Sequence, residues 1–239
     1  MTYMWIDDQI LENFESHICA KVFVPETQAV VLGSGNDASK EVNVAACQAR
    51  GIPVLRRYGG GGTVVLYPGC VVVSLGCWVK EQFSNNLYFK MINQAVIRSL
   101  VFKWPALSAL SQAGISDIVM GDRKIAGTSL FRSRNYLLYQ ASILVHMDAS
   151  LIGNVLAHPS KEPDYRKGRK HSDFLTGLAD IEKTVESPQL VADILEEHLI
   201  SKLNEEMTTH LISPIATQYK SLLDRLERAK DQAEASKLT

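Results

Sequence analysis

Residues 56–65 read RRYGGGGTVV, two arginines and a tyrosine followed by four successive glycines and a β-branched run. A strand that passes through contiguous glycines into another strand lets a ligand approach the backbone closely, because no Cβ stands in the way. Successive main-chain N–H groups in such a turn line a concavity suited to anions. Arg57, just before the run, can reach a phosphate or carboxylate with two parallel hydrogen bonds. The run is not a P-loop, since no Gly-Lys-Ser/Thr follows, and not a dinucleotide fingerprint, since no GxGxxG opens a helix. Taken alone, it also fits a glycine-rich hairpin turn with its arginines on a solvated edge. A second stretch, DRKIAGTS at residues 122–129, holds Lys124 between an acidic turn and small residues. An isolated lysine is usually a solvated surface group. Here Gly127, Thr128 and Ser129 follow it, offering close backbone approach and hydroxyl donors.

Residues 158–173, HPSKEPDYRKGRKHSD, cluster Arg166, Lys167, Arg169, Lys170 and His171. Pro159, Pro163 and Gly168 interrupt any regular pattern, so the stretch reads as a long loop. Loops of that length inside a compact domain are uncommon and often functional or disordered. A solvated charged loop, partly balanced by Glu162, Asp164 and Asp173, is the competing reading, and a docking surface for an acidic acceptor domain is a third. His17, His158, His198 and His210 lack metal-ligand spacing, and His146 alternates with apolar neighbours as a structural strand residue does. Trp5, Trp78 and Trp104 read as core or rim packing.

The elements that must position these groups alternate short β-rich runs with a few helices. AKVFVP and TQAVVLGSG read as strands, the second closing in a glycine turn. KEVNVAACQARG reads as one helix ending at Gly51 as C′ residue. IPVLRR, TVVLYPG and the continuous apolar CVVVSLGCWV are further strands. NNLYFKMINQAVIRSLVFKW has apolar residues at helical spacing and stops before Pro105. GISDIVMGDRKIAGTSLFRSRNYLLYQASILVHMD reads as a second β-rich block, with a hairpin turn at Gly121-Asp122 and another at RSRNY. ASLIGNVLA is a short helix. ESPQLVADILEEHLISKLNEEM starts with Ser187 as N-cap and Pro188 at the first helical position. YKSLLDRLERAKDQAEASKLT reads as an amphipathic helix fraying at its end. These patterns predict an α+β fold of mixed β-sheets packed with helices, with the strands within residues 1–185 and a C-terminal helical segment over 186–239.

With 239 residues, 46% hydrophobic and 21% charged, there is apolar material for one sizeable core. A net charge of −1 gives no global basic field for nucleic acid. No apolar run reaches membrane-spanning length, and the start lacks a secretory layout, so a cytoplasmic protein is expected. Cys19, Cys47, Cys70 and Cys77 show no zinc spacing. Seven residues of strand hold Cys70 and Cys77 about 23 Å apart, too far for a disulfide.

VVLGSGNDASKEVN, VLRRYGGGGTVVLYPG, SDIVMGDRKIAGTS and YQASILVHMD, in that order, resemble motifs of the lipoate–protein ligase and octanoyltransferase family, which shares its fold with biotin–protein ligases. That family carries a strand ending in glycine with a nearby KE-x-N, RRxSGGGAV, ND followed by KIxGxA, and HGTLL-x-x-D. The likeness spans roughly residues 28–178. Gly59 replaces a small hydroxyl residue and Thr63 an alanine. LYPG stands where His-Asp is usual, Ser116 where asparagine is usual, and Gln140-Ala141-Ser142 where His-Gly-Thr is usual. The GRGRxGR-type loop of biotin ligases is missing.

The resemblance implies an α+β biotin/lipoate-ligase-like catalytic domain over residues 1–185, with the helical segment 186–239 as a miniature accessory domain. It implies that Lys124 bridges the acyl carbonyl and the α-phosphate of an acyl-adenylate, stabilising charge on both oxygens. Arg57, Gly62, Thr63, Val64 and Val65 would contact ATP or the adenylate, and Gly60, Gly61, Gly62, Gly127 and Thr128 the acyl group. Asp117 would contact nucleotide or Mg2+, and Arg166, Arg169 and His171 would belong to a loop that closes over the intermediate and excludes water. The expected reaction joins lipoate to ATP and passes the acyl group to a lysine of a lipoyl carrier domain, with octanoate as another acyl source. The rivals are an octanoyl or lipoyl transferase working without ATP, and a non-catalytic accessory subunit. Transferases of this fold carry a cysteine nucleophile downstream of the motif lysine, and no cysteine follows Cys77. Many such ligases carry a further C-terminal domain or a separate accessory subunit, and the latter is an expected partner.

Overall fold

The structure, a computed structural model, describes residues 17–224. Its frame is an antiparallel six-stranded sheet in the order β1 (Ile18–Phe23), β5 (Cys70–Trp78), β9 (Tyr136–Leu144), β8 (Arg123–Ser133), β7 (Asp117–Met120), β6 (Leu110–Ala113). A smaller sheet, β3 (Val54–Arg56), β2 (Ala29–Leu32), β4 (Val64–Leu66), pairs β2 parallel to β3 and antiparallel to β4. All nine residues of β5 are buried, which is why that strand reads as a continuous apolar run rather than an alternating one. The mixed sheets packed with helices are the α+β class expected.

On one face of the large sheet, Val71, Val73, Leu75, Tyr139, Ala141 and Ile143 share a core with two helices. These are Asn85–Lys103, which ends at Trp104 before Pro105, and Pro188–Met207. The second begins as its sequence signals require, with the Ser187 side chain accepting from Leu190 N and proline at its first position. Val191, Leu195, Leu199 and Leu203 are fully enclosed in this core. The first helix of the 186–239 segment is therefore built into the same core as the strands. Residues 216–224 are helical, and the rest of the stretch expected to form the tail helix lies outside the described residues, as does Trp5.

Three local readings change. The helix expected from KEVNVAACQARG is two, Ala38–Glu41 and Val44–Ala49, because Asn43 turns its side chain onto Ala46 N and caps the second. Gly51 follows with φ 64°. Strand β6 was not foreseen; LSQA is four residues without alternation. The 158–173 stretch is not an open loop. It carries a 3₁₀ turn at Asp164–Arg166 and a helical turn at His171–Phe174, and Arg166 and Phe174 are buried. Among the described residues the four cysteines are free thiols, and no helix is long and apolar enough to cross a membrane.

Candidate active site

The opposite face of the large sheet carries the candidate chemistry, and a bulge aims it. Val119 pairs with Lys124 and Ile118 with Ala126, so Ile125 is an extra residue in β8. In a regular strand Lys124 and Gly127, three apart, would point to opposite faces. The inserted residue shifts the phase and lays the Lys124 side chain over Gly127. A Cβ at Gly127 would stand 3.2 Å from Lys124 Nζ and 3.8 Å from Val64 Cγ1. The ammonium thus lies beside the strand that leaves the glycine run. Its Nζ is 2.7 Å from Asp117 Oδ1, with the side chains 23% and 14% exposed. The other Asp117 oxygen accepts the Tyr165 hydroxyl at 2.7 Å.

The glycine run arches over β8. Cβ atoms at Gly59 and Gly61 would stand 3.1 Å from Ser129 Oγ and 3.8 Å from Ser129 Cβ. Gly61 has φ 90°, and a Cβ at Gly33 would collide with the Gly61 carbonyl oxygen. Glycine is required at both places, one by its left-handed backbone and one by contact with the neighbouring turn. A Cβ at Gly60 or Gly62 would meet nothing within 4 Å, so both face open space. Arg57 is buried and donates to the carbonyls of Gly60 and Gly62 at 2.7 Å each. In this structure it braces the turn from within. Arg56 does the same for the preceding turn through the carbonyls of Gly33, Ser34 and Asn36. Thr63 accepts from Asn36 Nδ2 and donates to Glu41, whose other oxygen accepts from Ser160. Val64 and Val65 continue into β4, half-buried and buried.

Not every expected residue reaches this site. Thr128 is a correction: it pairs with Ala141 of the helix-side core and donates its hydroxyl to Ser116 O at 2.7 Å. Strand alternation puts it on the far face from Gly127 and Ser129.

The 158–174 segment packs beside Asp117. Tyr165 packs against Phe174 with ring centres 5.2 Å apart and planes tilted by 44°, and the guanidiniums of Arg166 and Arg169 lie 4.8 and 5.3 Å from the Phe174 ring centre. Arg169 also forms an ion pair with Asp122 at 2.8 Å. Arg166 is 5% exposed, and its Nη2 has no hydrogen-bond partner among the described residues. His171 is pushed down to about 4, first by burial and then by the positive charges of Arg166, His158 and Lys124. Burial and the Asp117 carboxylate raise the Tyr165 hydroxyl well above its ordinary value. Tyr165 went unnoticed in the sequence; its signal was an aromatic residue set alone among the charges of that stretch.

A strand-borne ammonium fixed by a carboxylate, beside a side-chain-free turn and near further cations, is an arrangement chemically suited to an anionic group. The chain belongs to the lipoyl protein ligase A/B catalytic domain family, whose model matches residues 2–200. Among relatives, it is 28% identical over 149 residues to lipoate–protein ligase A subunit 1 of Thermoplasma acidophilum, covering 59% of this chain and 56% of that one. It is 23% identical over 218 residues to inactive lipoate–protein ligase 2 of Plasmodium falciparum, covering 76% and 56%. The chain spans about half the length of these curated relatives. Solved structures share its fold, two of which illustrate it. One is the bipartite lipoate protein ligase of Thermoplasma acidophilum described with its E2 lipoyl domain (TM-score 0.68, 22% identity, 92% of this chain and 84% of that one). The other is a lipoate–protein ligase A bound with ATP (TM-score 0.66, 22% identity, 92% and 86%).

Proposed function

We propose that this chain is a lipoate–protein ligase that activates its acid with ATP. The observation that carries the reading is the Lys124 ammonium, held 2.7 Å from Asp117 and laid over Gly127 toward Val64. In the first step a carboxylate oxygen of lipoate attacks the α-phosphorus of ATP. The bond from that phosphorus to the bridging oxygen breaks, and pyrophosphate leaves with the electron pair. Lys124 stabilises charge on the acyl and phosphate oxygens without moving a proton, as a preorganised cation does. In the second step the ε-amine of a carrier lysine attacks the acyl carbonyl, the carbon–oxygen bond to phosphate breaks, AMP departs, and the amine proton passes to solvent.

Gly60 and Gly62 leave room for the adenylate beside the backbone, and Gly127 leaves room for the Lys124 side chain to lie along its strand. Arg166, with its unpartnered Nη2, supplies a cation suited to the leaving pyrophosphate, and the neutral His171 stands beside it. The 158–174 segment screens the intermediate from water. Asp117 has both oxygens engaged, and among the described residues no three His, Cys, Asp or Glu side chains cluster. A magnesium ion accompanying the triphosphate would therefore be held by phosphate oxygens and water rather than by a side-chain cage.

The acceptor in this reading is a lipoyl carrier domain. A separate accessory subunit joins the reaction if the C-terminal helices do not supply that role themselves. The test is lipoate-dependent exchange of pyrophosphate into ATP. Exchange by the wild type that Lys124→Ala abolishes supports the ligase; no exchange alongside transfer from an acyl-carrier thioester moves the assignment to an acyltransferase. Against that second reading, burial pushes the thiols of Cys70 and Cys77 up to about 11 and about 12. Thiols so far from thiolate character are poor nucleophiles.

A further inference from the structure

Three adjacent strands carry a polar row across the middle of the site face: Ser129 on β8 pairs with Gln140 on β9, and Gln140 with Ser74 on β5. Beyond Ser74 the row meets Lys21 on the edge strand β1. The next row toward the smaller sheet is Gly127, Ser142 and Val72. The apolar side chains of this face fall into two separate clusters on either side of the polar row. One contains Cys70, Val72 and Leu144, the other Trp78, Tyr136 and Leu138. The row is buried throughout, with Ser129 5% exposed, Gln140 7% and Ser74 0%, while Gly127 and Ser142 in the next row are half-buried. The Ser74 hydroxyl has no hydrogen-bond partner among the described residues.

A buried hydroxyl left unpaired is costly, and a folded chain that keeps one keeps it for a reason that packing does not supply. Its neighbour Ser142 is different, since its hydroxyl bonds the Cys70 thiol. From Gly127, where the Lys124 ammonium lies, to Ser74 is two strand spacings of roughly 4.8 Å across and two residues of about 3.4 Å along, about 12 Å in all, the reach of a medium-length acyl chain plus one hydrogen bond. The 57–61 turn covers the Ser129 end of the row, and a Cβ at Gly60 would meet nothing within 4 Å.

We infer that Ser74 lies at the closed end of the acyl pocket and selects chains that carry a hydrogen-bond acceptor near their far end. Two chemical sources fit, a ring sulfur as in lipoate or an oxygen as in an ω-hydroxy or oxo acid. This rests on the proposed activation of an acyl group at Lys124, and it supplies what a purely apolar pocket lacks, a means of rejecting a plain saturated chain. Hydrophobic pockets discriminate weakly between near-isosteric chains, whereas a buried polar group left unpaired discriminates strongly.

The experiment compares kcat/KM for lipoate, ω-hydroxyoctanoate and octanoate, read as pyrophosphate release, in wild type, Ser74→Ala and Ser142→Ala. At least one acceptor-bearing acid should exceed octanoate by about fivefold or more, corresponding to ~1 kcal/mol. Which one does so separates sulfur from oxygen recognition. Ser74→Ala should collapse that ratio toward one while leaving the melting temperature unchanged or higher, and Ser142→Ala should leave the ratio unchanged. Octanoate equal to or better than both acids in wild type, or a ratio unmoved by Ser74→Ala, overturns the inference. Should no acid support pyrophosphate release, calorimetric titration of the same three acids decides. Ser74-dependent preference in binding keeps the pocket and removes the ligase, while binding without preference removes the pocket.

Discussion

On the helix side of the six-stranded sheet, Val71, Val73, Leu75, Ala141 and Ile143 meet Leu195, Leu199 and Leu203 with no break in the apolar contact. On the other side, the intervening residues of the same strands are Val72, Ser74, Gln140, Ser142, Gly127 and Ser129, and the apolar packing splits into two clusters. One face of the strands is filled to close-packed density; the other is interrupted where a ligand would lie. The contrast teaches where the chain puts its stability and where it gives some up. Substitutions on the two faces should therefore fail in different ways, one in folding and one in turnover.

The largest effect expected on the site face is from Lys124→Ala. Removing a preorganised charge of this kind lowers kcat by about 10² to 10³, while Asp117 keeps its hydrogen bond from Tyr165 and is not left unpartnered. Pyrophosphate exchange should nearly vanish with a melting temperature close to wild type. A melting temperature that fell as sharply as the rate would erase the distinction between the faces. On the helix side, Leu195→Ala should do the reverse. Leu195 is fully buried, and such truncations cost about 2–5 kcal/mol. Urea unfolding should show that loss with the slope unchanged, and the KM for each substrate should stay where it was at temperatures where the variant is folded.

A smaller effect sharpens the comparison at a single position. An alanine at Gly127 would place its Cβ 3.2 Å from Lys124 Nζ and 3.3 Å from Cε. The lysine end is flexible and can give way, so folding should hardly change. The ammonium would be displaced by a fraction of an ångström to an ångström, and kcat should drop about tenfold, within what misplaced catalytic groups cost. An unchanged kcat would mean that the Lys124 position is not set by the space over Gly127.

How much of this was legible in the sequence divides along the same line. The helix side was readable because its signals are local: the unbroken CVVVSLGCW run, the apolar spacing of residues 85–103, and Ser187-Pro188 opening the last long helix. The glycine run and Lys124 were also visible, as residue types whose chemistry is uncommon in that arrangement. The cross-strand facts were not. The Ile125 bulge, which turns Lys124 toward Gly127, and the row from Ser129 to Ser74 depend on register between strands, with Ser74 and Gln140 paired across 66 residues of sequence, which no local pattern encodes. Thr128 was misplaced for the same reason, because its face is fixed by the phase of β8 after the bulge. The latch of Tyr165 on Asp117 joins segments 48 residues apart and was hidden inside a stretch that reads as loop.

The smallest expected effect concerns pH and returns to the site side alone. His171 sits half-buried among Arg166, His158 and Lys124, and its folded value lies near about 4 against an ordinary 6.5. Between those values the unfolded chain takes up a proton there that the folded chain refuses, so acid favours unfolding. The contribution of His171 is thus fully present above about pH 6.5 and is lost progressively as pH falls toward about 4. Because the ring is partly open to solvent, the loss should be modest. Melting curves from pH 7.5 to 4.5 should fall more steeply for the wild type than for His171→Gln, which has no proton to take up there. Parallel curves would mean that the ring titrates in the folded chain as it does in water, and that the cations around it are farther away, or better screened, than their placement beside Lys124 implies.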